Sequence, residues 1–255
     1  MSDGATIDRA IEVFVRGFCF TRSMTHPFVP ERIGPVWVVR DAPRDRKGED
    51  YRTEEWIGHA VAPAEIDRIA RKHTRGRFAV CAIHGTNEPD ARIRAEFKRL
   101  GYRLRTTEPL MLHRLKPIPR FATPQGVSIK RVMTQDLADR LAKAARSRQI
   151  LSEHLVEDAP MRQYVAMDEK ETPIGWLRSI AVPNCKATWC SNMYVQEKHR
   201  RRGIARAMLA RMLKDDRAHG ATTSVLLASH TGAKLYPVVG YQHIGELLLY
   251  SPAKK

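Results

Sequence analysis

Three prolines within twelve residues, Pro117, Pro119 and Pro124 of Leu115–Gly126 (LKPIPRFATPQG), constrain this 255-residue chain more than any other feature. Proline fixes φ and removes a backbone donor, so neither a helix nor an interior strand runs through the segment, and it reads as an extended connector. Two halves of similar size follow, and an apolar content of 43% is enough for a core in each, which excludes global disorder. No run approaches the roughly 20 apolar residues of a bilayer-spanning helix. The opening MSDGATIDRAIEVFVRGF also lacks the basic-then-apolar order of a secretory leader. A cytoplasmic protein without membrane contact is expected. Cys19, Cys81, Cys185 and Cys190 lie in no ligand spacing and read as small core residues of a reducing compartment. His154 and Glu157 could share a helical face, but no second pair accompanies them, so no metal site is expected.

In the second half, Val127–Val132 reads as a strand and Gln135–Ala145 as a helix with Leu137 and Leu141 four apart. Arg162–Met167 and Ile174–Val182 flank a polar DEKETP turn and read as an antiparallel hairpin. Thr188–Val195 is a further strand. A helix follows HRRRG, with Ile204, Met208 and Met212 recurring every fourth residue and Gly220 as its stop. Ser224–Ala228 is a short apolar strand, Thr231–Val238 a short helix, and Tyr241–Tyr250 two closing strands around Gly245.

The first half repeats the closing part of that order. Ile7, Ile11, Phe14 and Phe18 mark an opening amphipathic helix and Val36–Val39 a strand, followed by a helix over Pro63–His73 and a strand over Phe78–Ile83. Glu88–Leu100 reads as a helix and Tyr102–His113 as two more strands. Phe97-Lys98-Arg99-Leu100-Gly101-Tyr102 lies opposite Tyr236-Pro237-Val238-Val239-Gly240-Tyr241, which suggests a duplicated fold.

Chemistry concentrates in Met193–Ala205 (MYVQEKHRRRGIA), a strand, a basic turn and a helix start. A helix amino terminus has backbone N–H groups without intrahelical partners and carries roughly half a positive charge, so it suits a phosphate. Gly203 and Ala205 keep side chains out of the way, while Arg200, Arg201, Arg202 and Arg206 raise the local potential. Basic residues exceed acidic ones 44 to 28 for a formal charge of +16, and most are arginine, the side chain whose planar fork matches phosphate. These arginines are scattered along the chain, without a nucleic-acid-binding motif to accompany them.

The segment resembles the acetyl-coenzyme A signature of the GNAT acetyltransferase superfamily: Arg or Gln, two residues, Gly, one residue, then Gly or Ala. Arg200, Gly203 and Ala205 fill those places. Ser229–Tyr241 (SHTGAKLYPVVGY) resembles the family's later helix, through Leu235, Tyr236, Gly240 and Tyr241. The resemblance spans about Val127–Tyr250. It implies an α/β (α+β) GNAT fold, a mixed, mostly antiparallel sheet flanked by helices, here duplicated. Residues 1–116 would be a degenerate copy without the phosphate-binding turn, 117–125 a Pro-rich linker and 126–255 the catalytic domain. The degeneracy is read from Phe97, which has no hydroxyl opposite Tyr236, and from the missing arginine–glycine turn before Phe78.

The resemblance further implies that acetyl-CoA is the cosubstrate. Amides from Arg201 through Gly203 and Ile204 to Ala205 would cradle its pyrophosphate, and the backbone of Met193 and Val195 would pair with its pantetheine arm. Ser229 stands where relatives often have a pantetheine-contacting asparagine, and Tyr236 where the family has the tyrosine that protonates the departing thiolate. The general base is not marked. Trp189 occupies the strand position at which some members carry glutamate, so Glu153 and His154 rank first, with Glu157 or a water on Ser191 and Asn192 as alternatives. The expected activity is transfer of an acetyl group to a primary amine, a small molecule ahead of a protein amino terminus or lysine. The alternative reading is a non-catalytic basic protein of this fold that binds nucleic acid or an acidic partner.

Overall fold

The computed structural model describes residues 3–44 and 51–253, which divide into two compact units. One is drawn from Met1–Met111, Leu227–Ser229 and His243–Lys255, the other from Leu112–Leu226 and His230–Gln242.

The first unit opens on helix α1 (Asp3–Arg22), which buries Ile7, Ile11 and Phe14 as their spacing predicts. Strands β1 (Phe28–Ile33) and β2 (Val36–Asp41) form an antiparallel hairpin. Strand β3 (Glu54–His59) pairs antiparallel with β2 and, after helix α2 (Pro63–His73), parallel with β4 (Phe78–Gly85). Helix α3 (Ala91–Arg99) and strand β5 (Tyr102–His113) follow. Neither β1 nor β3 is visible as an apolar pattern. Pro30, Glu31 and Arg32 interrupt the first, and the second begins on Glu54, whose buried carboxylate is carried by Arg75 at 3.2 Å. The stretch Tyr102–His113 is one strand where two were expected. Pro109 has no N–H to offer, but its carbonyl accepts from Ala228 N–H at 2.9 Å, so the strand continues through it.

The second unit contains strand β6 (Val127–Arg131), helix α4 (Gln135–Ala145), strands β7 (Met161–Asp168), β8 (Pro173–Val182) and β9 (Ala187–Val195), helix α5 (Ile204–Ala218), strand β10 (Thr223–Leu227) and the single turn of helix α6 (Tyr236–Val239). Strands β6 to β9 are successively antiparallel, and β10 lies parallel beside β9. Helix α5 packs on β7 to β9, burying Met208, Leu209, Met212 and Leu213. Its Asp216, fully buried, accepts from Arg162 Nη2 (2.6 Å), Ser179 Oγ (2.7 Å) and Thr188 Oγ1 (2.8 Å), one from each of those strands. A buried charge pair satisfied this way is costly to break from one side, and it fixes helix against sheet.

The two units share one order, antiparallel strands and then strand, helix and parallel strand, in β3–α2–β4 and β9–α5–β10. The echo in the sequence is structural as well. Gly101 and Gly240 each end a helix at positive φ (81° and 100°) ahead of a buried tyrosine, Tyr102 or Tyr241.

The closing segment is the single strand β11 (Gln242–Pro252), not two strands around Gly245. Gly245 makes no turn. It lies opposite Gly85, where a Cβ would stand 2.7 Å from the His84 carbonyl oxygen, so close approach of backbones accounts for the glycine. The sequence reading groups residues 126–255, whereas β11 falls in the first unit, antiparallel to β4 and with Tyr250 stacked on Phe97 at 4.4 Å. All four cysteines are buried. Among the described residues, no helix is long and apolar enough to cross a membrane.

Candidate active site

The turn between β9 and α5 is built from a short 3-10 turn (Glu197–His199), Arg200 in extended conformation, Arg201 at φ +62° and Gly203 at φ +87°. The last is left-handed backbone that glycine adopts at no steric cost. No side chain caps α5, and the first bond of the helix runs from Ala207 N–H to the Gly203 carbonyl at 3.1 Å. Among the described residues, the amides of Arg201 to Arg206 have no acceptor, a cluster of donors at the positive end of a helix dipole. Ile204 is buried and anchors the helix start, and Ala205 is half-buried.

None of Arg200, Arg201, Arg202 and Arg206 has a carboxylate partner among the described residues. Arg200 donates from Nε to the Val195 carbonyl (2.9 Å), with its Cζ 5.8 Å from the Tyr194 ring. Arg202 donates to the Gln125 carbonyl at 3.3 Å, and Arg206 lies 5.2 Å from the Phe121 ring. These contacts orient the side chains and leave their charge uncompensated, as an anion site requires.

Strand β9 offers a second set of unsatisfied groups. Strand β10 pairs with it only at Ala187, Thr188 and Trp189, after which β9 runs on to Val195 without it. On the other side, the pairing with β8 shifts register between Trp176 and Arg178, where Asn192 and Met193 stand opposite the single residue Leu177. This is a β-bulge with Asn192 at φ +56°. Gln196 N–H donates to the Ile174 carbonyl at 2.8 Å, so by the alternation of an antiparallel ladder the N–H of Val195 points away from β8, toward the side that β10 has left. Gly175 makes room here, since a Cβ on it would stand 3.0 Å from the Tyr194 carbonyl oxygen.

Tyr236 begins α6 and is 7% exposed. Burial, with a smaller contribution from the Cys190 thiol on β9, pushes its phenol well above the ordinary tyrosine range, so it stays protonated. An edge-to-face contact with Tyr241 (5.6 Å) holds the ring, and Tyr241 in turn meets His113 edge-on (5.3 Å) and bonds Ser224 Oγ through its hydroxyl (2.8 Å). Among the described residues the Tyr236 hydroxyl bonds no other group, and it is not one of the fully buried side-chain oxygens, so it is open to water or a ligand.

Glu153 and His154 lie together on the short turn Ser152–His154, the glutamate exposed and the imidazole buried. Burial lowers the His154 pKa against the opposing field of Glu153, which keeps the ring neutral near pH 7. Glu157 is engaged by Arg131 at 2.7 Å. Ser229 is exposed and is grouped with the first unit, at its boundary with the second, which resumes at His230. Sequence reasoning passes over Arg178 and Gln149, which are buried beside the bulge and joined at 2.7 Å. An arginine inside the otherwise largely apolar Pro173–Val182 is the signal that could have found them.

Residues 160–243 match the acetyltransferase (GNAT) domain family. Among curated proteins, none matches the chain in sequence. Solved structures share its fold. A GCN5-related N-acetyltransferase from Kribbella flavida is 15% identical with a TM-score of 0.65, over 97% of this chain and 96% of that one. A tandem GNAT protein from the clavulanic acid biosynthesis pathway is 12% identical with a TM-score of 0.55, over 97% and 96%. A GCN5-related N-acetyltransferase from Sphaerobacter thermophilus is 18% identical with a TM-score of 0.56, over 87% and 78%.

Proposed function

We propose that the chain, whose residues 160–243 match the acetyltransferase (GNAT) domain family, is an acetyl-CoA-dependent N-acetyltransferase that acts on a primary amine, a small molecule in preference to a protein. The observation that carries this reading is the run of acceptorless amides from Arg201 to Arg206, ringed by four arginines without carboxylate partners. A diphosphate fits that donor set in charge and in hydrogen-bonding capacity, with Gly203 leaving the approach open.

Acetyl-CoA supplies an activated acyl thioester, and everything else in the reaction falls to residues of the chain. The amides of Arg201 to Ala205 bind the phosphates, and the free edge of β9 at Met193 and Val195 aligns the pantetheine arm by strand-like pairing. The outward N–H of Val195 is a fixed dipole for the negative charge that develops on the carbonyl oxygen. Tyr236, protonated and uncommitted, gives its proton to the departing sulfur. Neutral His154, with Glu153 beside it, takes the proton from the attacking amine, directly or through water. Ser229 is retained as a weaker candidate for a coenzyme contact.

The test is free-thiol release from acetyl-CoA across a panel of polyamines, aminoglycosides, amino acids and peptides, with calorimetry of coenzyme binding alongside. Gly203→Glu, which sets a carboxylate against the phosphates, is expected to abolish binding while unfolding remains cooperative. Normal affinity in a folded Gly203→Glu variant removes the turn from the mechanism.

A further inference from the structure

Beyond the turn between β9 and α5, one buried side chain has no role in the fold or in the proposed reaction. Arg178, on β8, is 7% exposed and has no carboxylate partner among the described residues. Burial is the one influence that moves its pKa, down to about 10, so the guanidinium stays charged at neutral pH with nothing of opposite sign near it. A buried charge without a counter-charge is strongly unfavourable. The same unit handles its other buried arginine differently. Arg162, two strand positions into β7, is paired with Asp216 at 2.6 Å, and against the burial that would lower it this carboxylate raises the Arg162 pKa.

The surroundings of Arg178 are rich in donors and poor in acceptors. Gln149 Oε1 alone accepts from both Arg178 Nη2 (2.7 Å) and Asn192 Nδ2 (2.5 Å). Arg178 Nε is buried without a partner, and so is the hydroxyl of Ser191, the residue directly across the ladder. One positive charge, a planar fork and spare neutral donors complement a single planar anion with several lone pairs. That description fits a carboxylate better than a phosphate, whose second charge would go unmatched.

Position assigns the carboxylate to the acceptor. Asn192 is the bulge residue immediately before Met193, so the cluster adjoins the backbone proposed to present the thioester. Arg178 itself stands on β8, on the far side of β9 from the gap that β10 leaves. Two residues along the same face of β8, Trp176 stacks on Tyr194 and walls a cleft of about 920 Å³ whose charged lining is Arg146, Lys198 and Glu197. We propose that Arg178, with Asn192 and Ser191, binds a carboxylate of the acceptor, so that the acceptor is an amino acid or another amine bearing a carboxylate. This rests on the acetyltransferase reading for the identity of the reaction, but not for the anion site.

The experiment compares ω-amino acids from glycine to 4-aminobutyrate with their amides, which keep the amine and lose the charge. In thermal unfolding of the chain without coenzyme, the acids of at least one length raise the midpoint saturably and the amides do not. Arg178→Met loses that shift, and its own midpoint is equal to or above the parent's, because an uncompensated buried charge has been removed. In thiol release, the parent favours acid over amide at least tenfold in kcat/KM, and the ratio falls to near one in Arg178→Met with coenzyme affinity unchanged. Arg178→Lys, which keeps the charge without the fork, shows the same direction and serves if the methionine variant does not fold. Equal handling of acids and amides overturns the proposal, as does a preference that survives both substitutions, a shift produced by inorganic phosphate alone, or a preference for succinyl- over acetyl-coenzyme A in place of one for acidic acceptors. If no amine releases thiol while the acid-specific shift stands, the acetyltransferase reading fails and the carboxylate site remains.

Discussion

Tyr236 joins a largely buried ring and a proton held far above its usual range to a hydroxyl that bonds no other described residue. Tyr236→Phe keeps the ring contact with Tyr241 and removes only the proton. Turnover should fall by roughly 10²- to 10⁴-fold, the range for loss of a general acid, with coenzyme affinity unchanged by calorimetry. Undiminished turnover would place the proton elsewhere. Gly203 is the complementary case: the missing side chain is legible in the sequence, and the left-handed φ of +87° appears only in the structure.

At the scale of elements, α6 is held by its end. His113, from the last residue of β5, has its Nε2 3.1 Å from the Val239 carbonyl and accepts from Leu115 N–H at Nδ1 (2.8 Å), which requires the neutral Nε2-protonated ring. Gly240 lets the ring approach, since a Cβ there would lie 2.8 Å from Nε2. Burial lowers the His113 pKa below its unfolded value of 6.5, partly opposed by the bond to Val239. The unfolded chain therefore takes up the proton first. This contribution to stability is complete above about pH 6.5 and is lost as pH falls below it. Denaturant midpoints between pH 5 and 8 should decline on the acid side, and in His113→Gln part of that decline should vanish. The remainder includes His154, whose pKa is lowered in the same direction. An identical pH profile in the variant would show that His113 does not titrate across this range.

For the whole molecule, the turn proposed to hold the coenzyme has no counterpart in the first unit. In the first unit, the helix that corresponds to α5 is α2, and its amino terminus is closed to phosphate. Pro63 at the first position has no N–H, and Ala64 N–H donates to the Glu96 carboxylate at 3.3 Å, so a side-chain anion already occupies the dipole. Phe97, opposite Tyr236 in the repeat, is a fully buried core ring between Tyr102 and Tyr250. One equivalent of acetyl-CoA per chain is the expected calorimetric stoichiometry, and Gly203→Glu should eliminate all of it. Residual binding in that variant would locate a second site in the first unit.

Local chemistry alone determined a good deal about this protein. Helical periodicity marks α2 and α4 to the residue, the DEKETP turn marks the β7–β8 hairpin, and the spacing of Arg200, Gly203 and Ala205 marks the helix start, because each depends on neighbours a few positions apart. Strand β1 was hidden because its Glu31 and Arg32 are exposed to solvent, and β3 because its buried Glu54 is paired with the remote Arg75. The same holds for the closing strand: nothing near Gly245 reveals that β4 lies against it, or that the strand belongs with the first unit. Tertiary structure decided these matters, along with the bulge at Asn192 and the unpaired charge of Arg178. Pairing, burial and the lack of a counter-charge are relations between residues remote in the chain, and only folding brings them together.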